Sequence, residues 1–328
     1  MTAPETLREL GEFALIDRLT AGLPGEPQLV LGVGDDAAVL RLGDAQWVVS
    51  CDASVEDVHF RRSTASAGQI GFKAAASALS DIAAMGATPR FLTLSLACPK
   101  DTEVAWLEAM FAGVRAAAGE AGAVVMGGDT TGSPGGVVLD VHVMGEARSG
   151  RVLYRSGARP GDVLAVTGWP GRAAAGLAAL EQGLEAPVCI AAQHTPHPPY
   201  LAAQWLAGEP AVHAAIDVSD GLVQDAGHVA RASGLAIRID AAHLPHDEAL
   251  RAAAALLGLE EAALALGGGE DYALLLALEA DAAQQIQAAL QARFDLPLHL
   301  LGECEAGPAG VRVSGAPAGG PGFDHFRT

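Results

Sequence analysis

The first half of the chain alternates short apolar runs with alanine-rich stretches. Five apolar runs predict strands: QLVLGVG, QWVVSCD, RFLTLSLA, AVVMGGD and GVVLDVHVMGEA. Two alanine-rich stretches between them, from about Ala67 to Gly86 and from Asp101 to Gly122, predict helices that end at glycine. This alternation predicts an α/β or α+β domain.

The second half restarts the pattern after SGARPGD at 156–162, a segment rich in glycine, proline and charge. Predicted strands are DVLAVTG, LAIRID and DYALLLAL. Predicted helices are AAAGLAALEQG, a stretch near 200–215, LVQDAGHVARASG, DEALRAAAALLG and DAAQQIQAALQARF. The length of 328 residues fits two domains. We therefore predict domains at 1–148 and 149–328.

Composition indicates a globular and strongly acidic protein. Half of the residues (50%) are hydrophobic, and 39 acidic residues against 20 Lys and Arg give a net charge of −19. Nucleic acid and anionic membrane surfaces bind positive fields, so this charge disfavours both as partners. An anionic substrate would have to arrive with its own cations.

The cysteines and the N-terminus predict a soluble cytoplasmic protein. The four cysteines are far apart and form no CxxC pair, which disfavours a disulfide scaffold or a zinc site. The first twenty residues carry charges throughout and lack the apolar centre of a signal peptide. No apolar run reaches the roughly 18 residues of a membrane span.

Acidic residues stand beside glycine or other small residues where apolar runs end. The segments are GVGDDAAV, VVSCDASVEDVHF, ALSDIAAMGA, VVMGGDTT, IDVSDGL and GGGEDYALL. One such acid is often only a helix cap or a turn residue. If several converge, two charges 4 Å apart repel by about 4 kcal/mol at an effective dielectric constant of 20. Mg²⁺ prefers oxygen ligands and is often shared with substrate phosphates, so the pattern predicts a magnesium–phosphate site.

Common phosphate and nucleotide motifs are absent. Neither of the two lysines, Lys73 and Lys100, lies in a P-loop, and the HRD, DFG, GxGxxG and GxSxG signatures are missing. Asp81 is unusual because it stands inside an alanine-rich predicted helix, with Ser77 and Lys73 on the same face. A helix-face ion network is the alternative to a metal site there.

Seven ordered blocks together resemble the thiamine-monophosphate kinase family. They are GVGDDAAV, CDxxVEDVHF, KAAASALSDIAAMGATP, MGGDTT, RSGARPGD, IDVSDGL and GGGEDYALL. That family is grouped with aminoimidazole ribonucleotide synthetase, selenophosphate synthetase and the hydrogenase-maturation dehydratase. The match runs from about Gly11 to GFDHF near the end of the chain.

The resemblance implies a fold of two α/β domains, with the N-terminal domains of two subunits pairing into a shared β-barrel. It therefore implies a homodimer that uses ATP and several Mg²⁺ ions. The family's metal ligands fall on Asp36, Ser50, Asp52, Asp81, Asp129, Asp217 and Asp220. ATP contacts fall on Gly128, Asp129, Arg155 and Ser219, and the substrate pocket on His59, Glu270 and Phe323.

The implied reaction is direct in-line transfer of the γ-phosphoryl group of ATP to thiamine monophosphate, the final step in making thiamine diphosphate. The acceptor oxygen is already anionic near neutral pH, so we expect no general base and no phosphoenzyme. Two departures from the family pattern stand out. Cys51 replaces the usual Thr, and Arg172–Ala173 replaces an acidic residue and Ser.

Several alternatives remain at the level of sequence. The dehydratase needs a C-terminal cysteine, but this chain ends DHFRT, and residues 1–50 lack the reactive Cys and the Lys that selenophosphate synthetase needs. Aminoimidazole ribonucleotide synthetase and a non-catalytic Mg²⁺/nucleotide module stay open. Individually, His59 could be an ordinary histidine, Arg155 a surface arginine, and Phe323 an anchor for the C-terminus.

Overall fold

The computed structural model describes residues 6–148 and 150–316 and contains two six-stranded sheets. The helices are α1 Leu7–Leu10, α2 Glu12–Thr20, α3 Ala67–Ala84, α4 Val104–Ala121, α5 Arg172–Gln182, α6 Pro187–His194, α7 Tyr200–Ala207, α8 Leu222–Ser233, α9 Glu248–Leu257, α10 Glu261–Gly267 and α11 Ala280–Phe294, with a 3₁₀ turn at Ala241–His243. The strands are β1 Leu29–Leu31, β2 Ala38–Leu42, β3 Ala45–Val55, β4 Thr88–Cys98, β5 Val124–Gly132, β6 Val138–Glu146, β7 Val163–Thr167, β8 Val212–Asp217, β9 Ala236–Asp240, β10 Leu274–Leu278, β11 Leu298–Glu305 and β12 Gly310–Ser314.

The first sheet has the strand order β1-β2-β3-β6-β4-β5, and only its β4–β5 pair is parallel. Helices α3 and α4 pack against each other at glycines. A Cβ on Gly71 would lie 1.9 Å from the carbonyl oxygen of Met110, and one on Gly113 would lie 1.9 Å from that of Gly68. Only residues without a side chain allow this close approach. This close packing fixes α3, which carries Asp81, against α4.

The two faces of the first sheet differ in burial. Leu94 and Val141, which pair across β4 and β6, are buried in the core with α3. The opposite face carries Cys51 and its partner His142, both exposed. Strand β5 forms the edge of the sheet and is exposed along almost its whole length. One face and one edge of this sheet are therefore open to solvent in a single chain.

The second sheet has the order β12-β9-β11-β7-β10-β8, with one parallel pair, β9–β12. Its interior strand β10, between β7 and β8, is buried along its full length, as the apolar run LLLAL predicts. One side packs on α8, and the other shares a continuous core with α3, α7 and α11. Helix α3 is thus packed between the two sheets, so residues at its C-terminal end can reach both halves of the chain.

The five strands predicted in the first half are all present, as are helices α3 and α4. The helix predicted near 200–215 ends at Ala207, because Gly208 and Pro210 interrupt it and residues 212–217 form β8. The elements that were not predicted are helices α1, α2, α6 and α10 and strands β2, β11 and β12. Within the described part of the chain, no helix has the length and apolarity needed to cross a lipid bilayer.

Candidate functional site

A cavity of about 750 Å³ lies between α3, β3, α5 and α6 and the loops beside β8 and β10. Its wall contains seven residues that the sequence singled out: Asp52, His59, Asp81, Asp217, Ser219, Asp220 and Glu270. The remaining wall includes small and apolar side chains such as Ile70, Ala74 and Leu177. An acidic end and an apolar lining suit a cationic or metal-bound organic ligand.

Three carboxylates from distant parts of the chain meet at one end of the cavity. Asp36 precedes β2, Asp81 lies in the last turn of α3, and Asp217 ends β8. One oxygen from each lies within 4.8 Å of the other two. We call Asp36, Asp81 and Asp217 the acidic trio. The convergence that the sequence predicted is therefore present in the fold.

Short hydrogen bonds orient the acidic trio. Ser50 Oγ donates to Asp81 Oδ2 over 2.6 Å, and Ser80 Oγ donates to Asp217 Oδ2 over 2.6 Å. Arg155 binds Asp36 through two nitrogens, with Nε at 2.9 Å from Oδ1. The other oxygen of Asp36, Oδ2, is buried without a hydrogen-bond partner in the described part of the chain.

The pKa values of the acidic trio are raised, so the nearby positive charge does not offset the burial of these three carboxylates. Burial raises the pKa of Asp36 to about 8, even though Arg155 opposes the shift. Burial also raises the pKa of Asp217 to about 6 and that of Asp81 well above its usual range, with Asp217 and Asp36 adding to the shift at Asp81. The orphaned oxygen of Asp36 and the all-oxygen donor set fit a hard divalent cation such as Mg²⁺.

A second carboxylate group stands where α8 begins. Asp225 accepts hydrogen bonds from the backbone N–H groups of Ser219 at 3.2 Å, Asp220 at 3.3 Å and Gly221 at 3.1 Å. Gln224 Nε2 donates to Asp220 Oδ2 at 3.0 Å. These bonds hold the predicted residues Ser219 and Asp220 in place. Asp225 itself was not predicted, although an acid in the first turn of a helix is a known capping signal.

The other end of the cavity is built around Glu270. Lys73 Nζ lies 2.6 Å from Glu270 Oε1, and Gln193 Nε2 donates to Oε2 over 2.8 Å. Glu270 has a φ of +65°, a left-handed conformation that turns the chain sharply after the preceding glycines. Lys73 and Gln193 were not predicted as site residues. Lys73 was noted only for sharing a helix face with Asp81, and Gln193 lies outside the seven blocks.

Asp52 and His59 lie on the β3 side of the cavity. Burial raises the pKa of Asp52, and a hydrogen bond from Ser77 opposes that shift. His59 Nδ1 accepts from the backbone N–H of Val55 at 2.9 Å, so in the neutral ring Nε2 carries the proton. His59 lines the cavity, and this hydrogen bond orients its ring.

Two predicted residues lie elsewhere. Asp129 pairs in register with Ser95, and Ser95 pairs with Asp140 on the open face of the first sheet. Asp52 belongs to the opposite face, because it pairs with the buried Val141. Asp129 therefore points away from the cavity within this chain. Its neighbour Gly128 pairs with Leu94 on the buried face and does not line the cavity either. Phe323 lies outside the described residues.

Arg172 and Ala173, which differ from the residues usual in the family, form the first turn of α5. Arg172 forms an ion pair with Asp247, with Nε at 2.6 Å from Oδ2. Asp271 accepts from the backbone N–H of Gly171 at 2.6 Å and of Ala173 at 3.0 Å, which caps the helix. Neither Arg172 nor Ala173 lines the cavity.

Two family models match the chain. Residues 34–147 match the N-terminal domain of AIR synthase related proteins, and residues 159–314 match the C-terminal domain of the same group.

Characterised relatives match over most of the chain. A thiamine-monophosphate kinase from Mycobacterium tuberculosis is 42% identical over 276 residues, covering 84% of this chain and 82% of the relative. The thiamine-monophosphate kinase of Escherichia coli is 37% identical, covering 97% of this chain and 99% of the relative. Among solved structures, AaThiL complexed with AMPPCP and TMP matches with a TM-score of 0.87 and 31% identity, over 99% of this chain and 100% of that one.

Proposed function

The chain belongs to the thiamine-monophosphate kinase family of AIR synthase related proteins, and we propose that its cavity transfers the γ-phosphoryl group of ATP directly to thiamine monophosphate. The observation that carries the proposal is the acidic trio beside Arg155 in a cavity whose far wall carries Glu270. The family, the two-domain mixed α/β fold and the assignment as a thiamine-phosphate kinase, all predicted from the motifs, are confirmed by these similarities.

We propose that several Mg²⁺ ions are held by Asp36, Asp81 and Asp217, with Asp52, Asp220 and Ser50 as further ligands. When bound there, Mg²⁺ would reduce the electrostatic repulsion between the two polyanionic substrates. The carboxylates hold metal and do not attack phosphorus. Support comes from the buried oxygen of Asp36 without a partner and from the raised pKa of Asp36, Asp81 and Asp217, since each favours an added cation.

The proposed nucleotide contacts are Arg155, which lies beside the acidic trio, and Ser219, which lines the cavity. The side chain of Arg155 is fixed by Asp36, and its backbone N–H donates to Asp35 Oδ2 over 3.1 Å. A guanidinium held in this way presents its remaining N–H groups in a planar fork that matches phosphate oxygens. Ser219 belongs to the loop that Asp225 orders at the start of α8.

The acceptor substrate is proposed to bind along His59 and Glu270, with Phe323 as the third predicted contact. Thiamine monophosphate carries a thiazolium cation, and a carboxylate nearby offsets that charge. His59 lines the cavity on the β3 side, and an imidazole suits contact with a polar or anionic group of the substrate. The phosphate of the substrate would then lie toward the acidic trio, where Mg²⁺ is held.

The proposed assembly is a homodimer formed through the first sheet, with domains at 1–148 and 149–328. The exposed β5 edge and the open face with Cys51 and His142 are the surfaces that an intersubunit barrel would cover. Gly128 and Asp129 lie on this edge strand, so their proposed roles toward ATP and metal depend on that pairing. A cytoplasmic location is proposed because every substrate is a soluble phosphate.

Product analysis with γ-labelled ATP tests the proposal. We expect the label in thiamine diphosphate only when thiamine monophosphate is present, and none on the protein with ATP alone. Asp217→Asn should lower the rate at least about ten-fold, whereas Asp44→Asn, at the exposed turn between β2 and β3, should keep it. Label on the protein with ATP alone would overturn direct transfer. ADP release that is the same with and without thiamine monophosphate would overturn the substrate assignment.

A further inference from the structure

Gln193 presents a buried hydrogen-bond acceptor without a partner at the wall of the cavity. It lies in the last turn of α6, is 5% exposed and lines the cavity. Its Nε2 donates to Glu270, while its Oε1 is buried with no hydrogen-bond partner in the described part of the chain. A buried unsatisfied acceptor costs about 1–3 kcal/mol, so such groups are usually paired in the working state of a protein.

The orientation of the Gln193 amide is fixed by its neighbour. The carboxylate of Glu270 only accepts hydrogen bonds, so the amide atom facing it must be the NH₂ group. The other carboxylate oxygen of Glu270 is already paired with Lys73 at 2.6 Å. A flipped amide would place two acceptors together, and therefore Oε1 must stay available to a ligand.

His194, the next residue, supplies a second acceptor at the same wall. It lines the cavity, and its Nε2 is buried with no partner in the described part of the chain. Burial lowers the pKa of His194, and the nearby Lys73 lowers it further, while the backbone of Thr64 accepts from the ring. With its one proton directed to Thr64, the neutral ring leaves Nε2 as an acceptor. A ligand that satisfies this wall must therefore bring hydrogen-bond donors.

The spacing along α3 separates this wall from the phosphate end. Lys73 and Asp81 are eight residues apart on one helix, which corresponds to about 12 Å at 1.5 Å per residue. The cavity thus has room for a molecule with a phosphate near Asp81 and a polar ring near Lys73 and Gln193. Ile70 and Leu177 provide apolar contacts for the faces of such a ring.

We infer that Gln193 is a specificity-determining residue whose Oε1 accepts a hydrogen bond from the exocyclic amine of the substrate's aminopyrimidine ring. The inference rests on the proposed function, because thiamine monophosphate carries that amine at the end opposite its phosphate. Gln193 also positions Glu270, so its variants affect two groups at once. The ratio of kcat/KM between two substrates that differ only at this amine separates the contact to the amine from the positioning of Glu270.

The test compares thiamine monophosphate with the analogue in which an oxo group replaces the exocyclic amine. The native enzyme should prefer the amine at least about ten-fold in kcat/KM, since sites built to hydrogen-bond a substrate group reject analogues that lack it. In Gln193→Met this preference should fall to within about three-fold. The affinity of the variant for an ATP analogue, measured on the same sample, should equal that of the native enzyme. This result would show that the variant is folded.

The matched control is Gln69→Met. Gln69 also lines the cavity, but its Oε1 already accepts from Ser66 N at 2.8 Å and Ser66 Oγ at 2.9 Å. Its variant should keep the native substrate preference. If Gln193→Met lowers kcat/KM equally for both substrates, the residue acts only through Glu270 and the inference is overturned. If the native enzyme releases no ADP with either substrate, the proposed function fails instead.

Discussion

Replacing Asp81 by Asn should stabilise the metal-free protein at high pH and abolish its stabilisation by Mg²⁺. The variant keeps the size of the side chain and an oxygen that can accept from Ser50, but it removes one charge from the acidic trio. The expected change is therefore electrostatic. Most substitutions at a buried position destabilise a protein, so a gain in stability would be diagnostic.

The size of the effect follows from the spacing of the trio. Two full charges at 4.8 Å repel by about 3.5 kcal/mol at an effective dielectric constant of 20. The two pairs that include Asp81 thus give about 7 kcal/mol when all three carboxylates are charged, and more where two oxygens are closer than 4.8 Å. Protons retained at neutral pH reduce this repulsion, because the pKa of Asp36 is raised to about 8. A net gain of only about 1 kcal/mol would raise Tm by roughly 2–4 °C.

The pH dependence has a definite sign. The pKa of Asp36 is about 8 and that of Asp217 about 6 in the folded protein, whereas an unfolded Asp has a pKa of about 3.9. The folded state therefore holds more protons, and metal-free stability falls as pH rises from about 4 to about 8. This fall should be smaller in Asp81→Asn.

Thermal melts from pH 5 to 9, in chelator and in excess Mg²⁺, measure both effects. The native protein should gain stability with Mg²⁺, by about 2.7 kcal/mol when the ion is at a hundred times its Kd. Asp81→Asn should lose most of this gain, and the exposed Asp44→Asn should behave as the native protein. A variant that is less stable than the native protein at pH 9 in chelator, or one that keeps the full Mg²⁺ gain, would refute the reasoning.

Three further predictions concern neighbouring groups. Arg155→Lys, which loses the planar fork on Asp36, should raise the KM for ATP at least about ten-fold in steady-state assays. Asp225→Asn should raise the Mg²⁺ concentration for half-maximal activity, since one amide oxygen replaces the carboxylate that orders the loop of Asp220; an unchanged Mg²⁺ titration would contradict that role. Burial raises the pKa of Asp271 to about 7, so urea melts of Asp271→Asn should show a smaller loss of stability between pH 4 and 7 than the native protein.

Residues in short motifs beside glycine were predictable from the sequence, because the chemistry needs both the acid and the small neighbour. Asp36, Asp81 and Asp217 were identified in this way, and the fold brings them together. Lys73, Gln193 and Asp225 were not identified as site residues, since their roles arise from contacts across the fold. Gln193 meets Glu270 across 77 residues of sequence, a pairing that no local pattern encodes.

The same limit applies to the fold. Periodic apolar runs predicted β3, β4 and β10 because burial dictates their composition. The short strand β8 was assigned to a helix, because AVHAAID has alanines that favour a helix when tertiary contacts are ignored. Asp129 shows a further limit: its motif was clear, but only strand pairing shows that it lies on the open face of the sheet.

The most direct test of the central claim is the rate of ADP release with thiamine monophosphate as free Mg²⁺ is raised beyond the amount that saturates ATP. The claim is that the protein's own carboxylates hold metal ions needed in addition to the ion carried by ATP. We predict that the rate continues to rise with free Mg²⁺ in the native protein and shows no such second phase in Asp217→Asn. A rate that is already maximal when each ATP carries one Mg²⁺ would contradict the account.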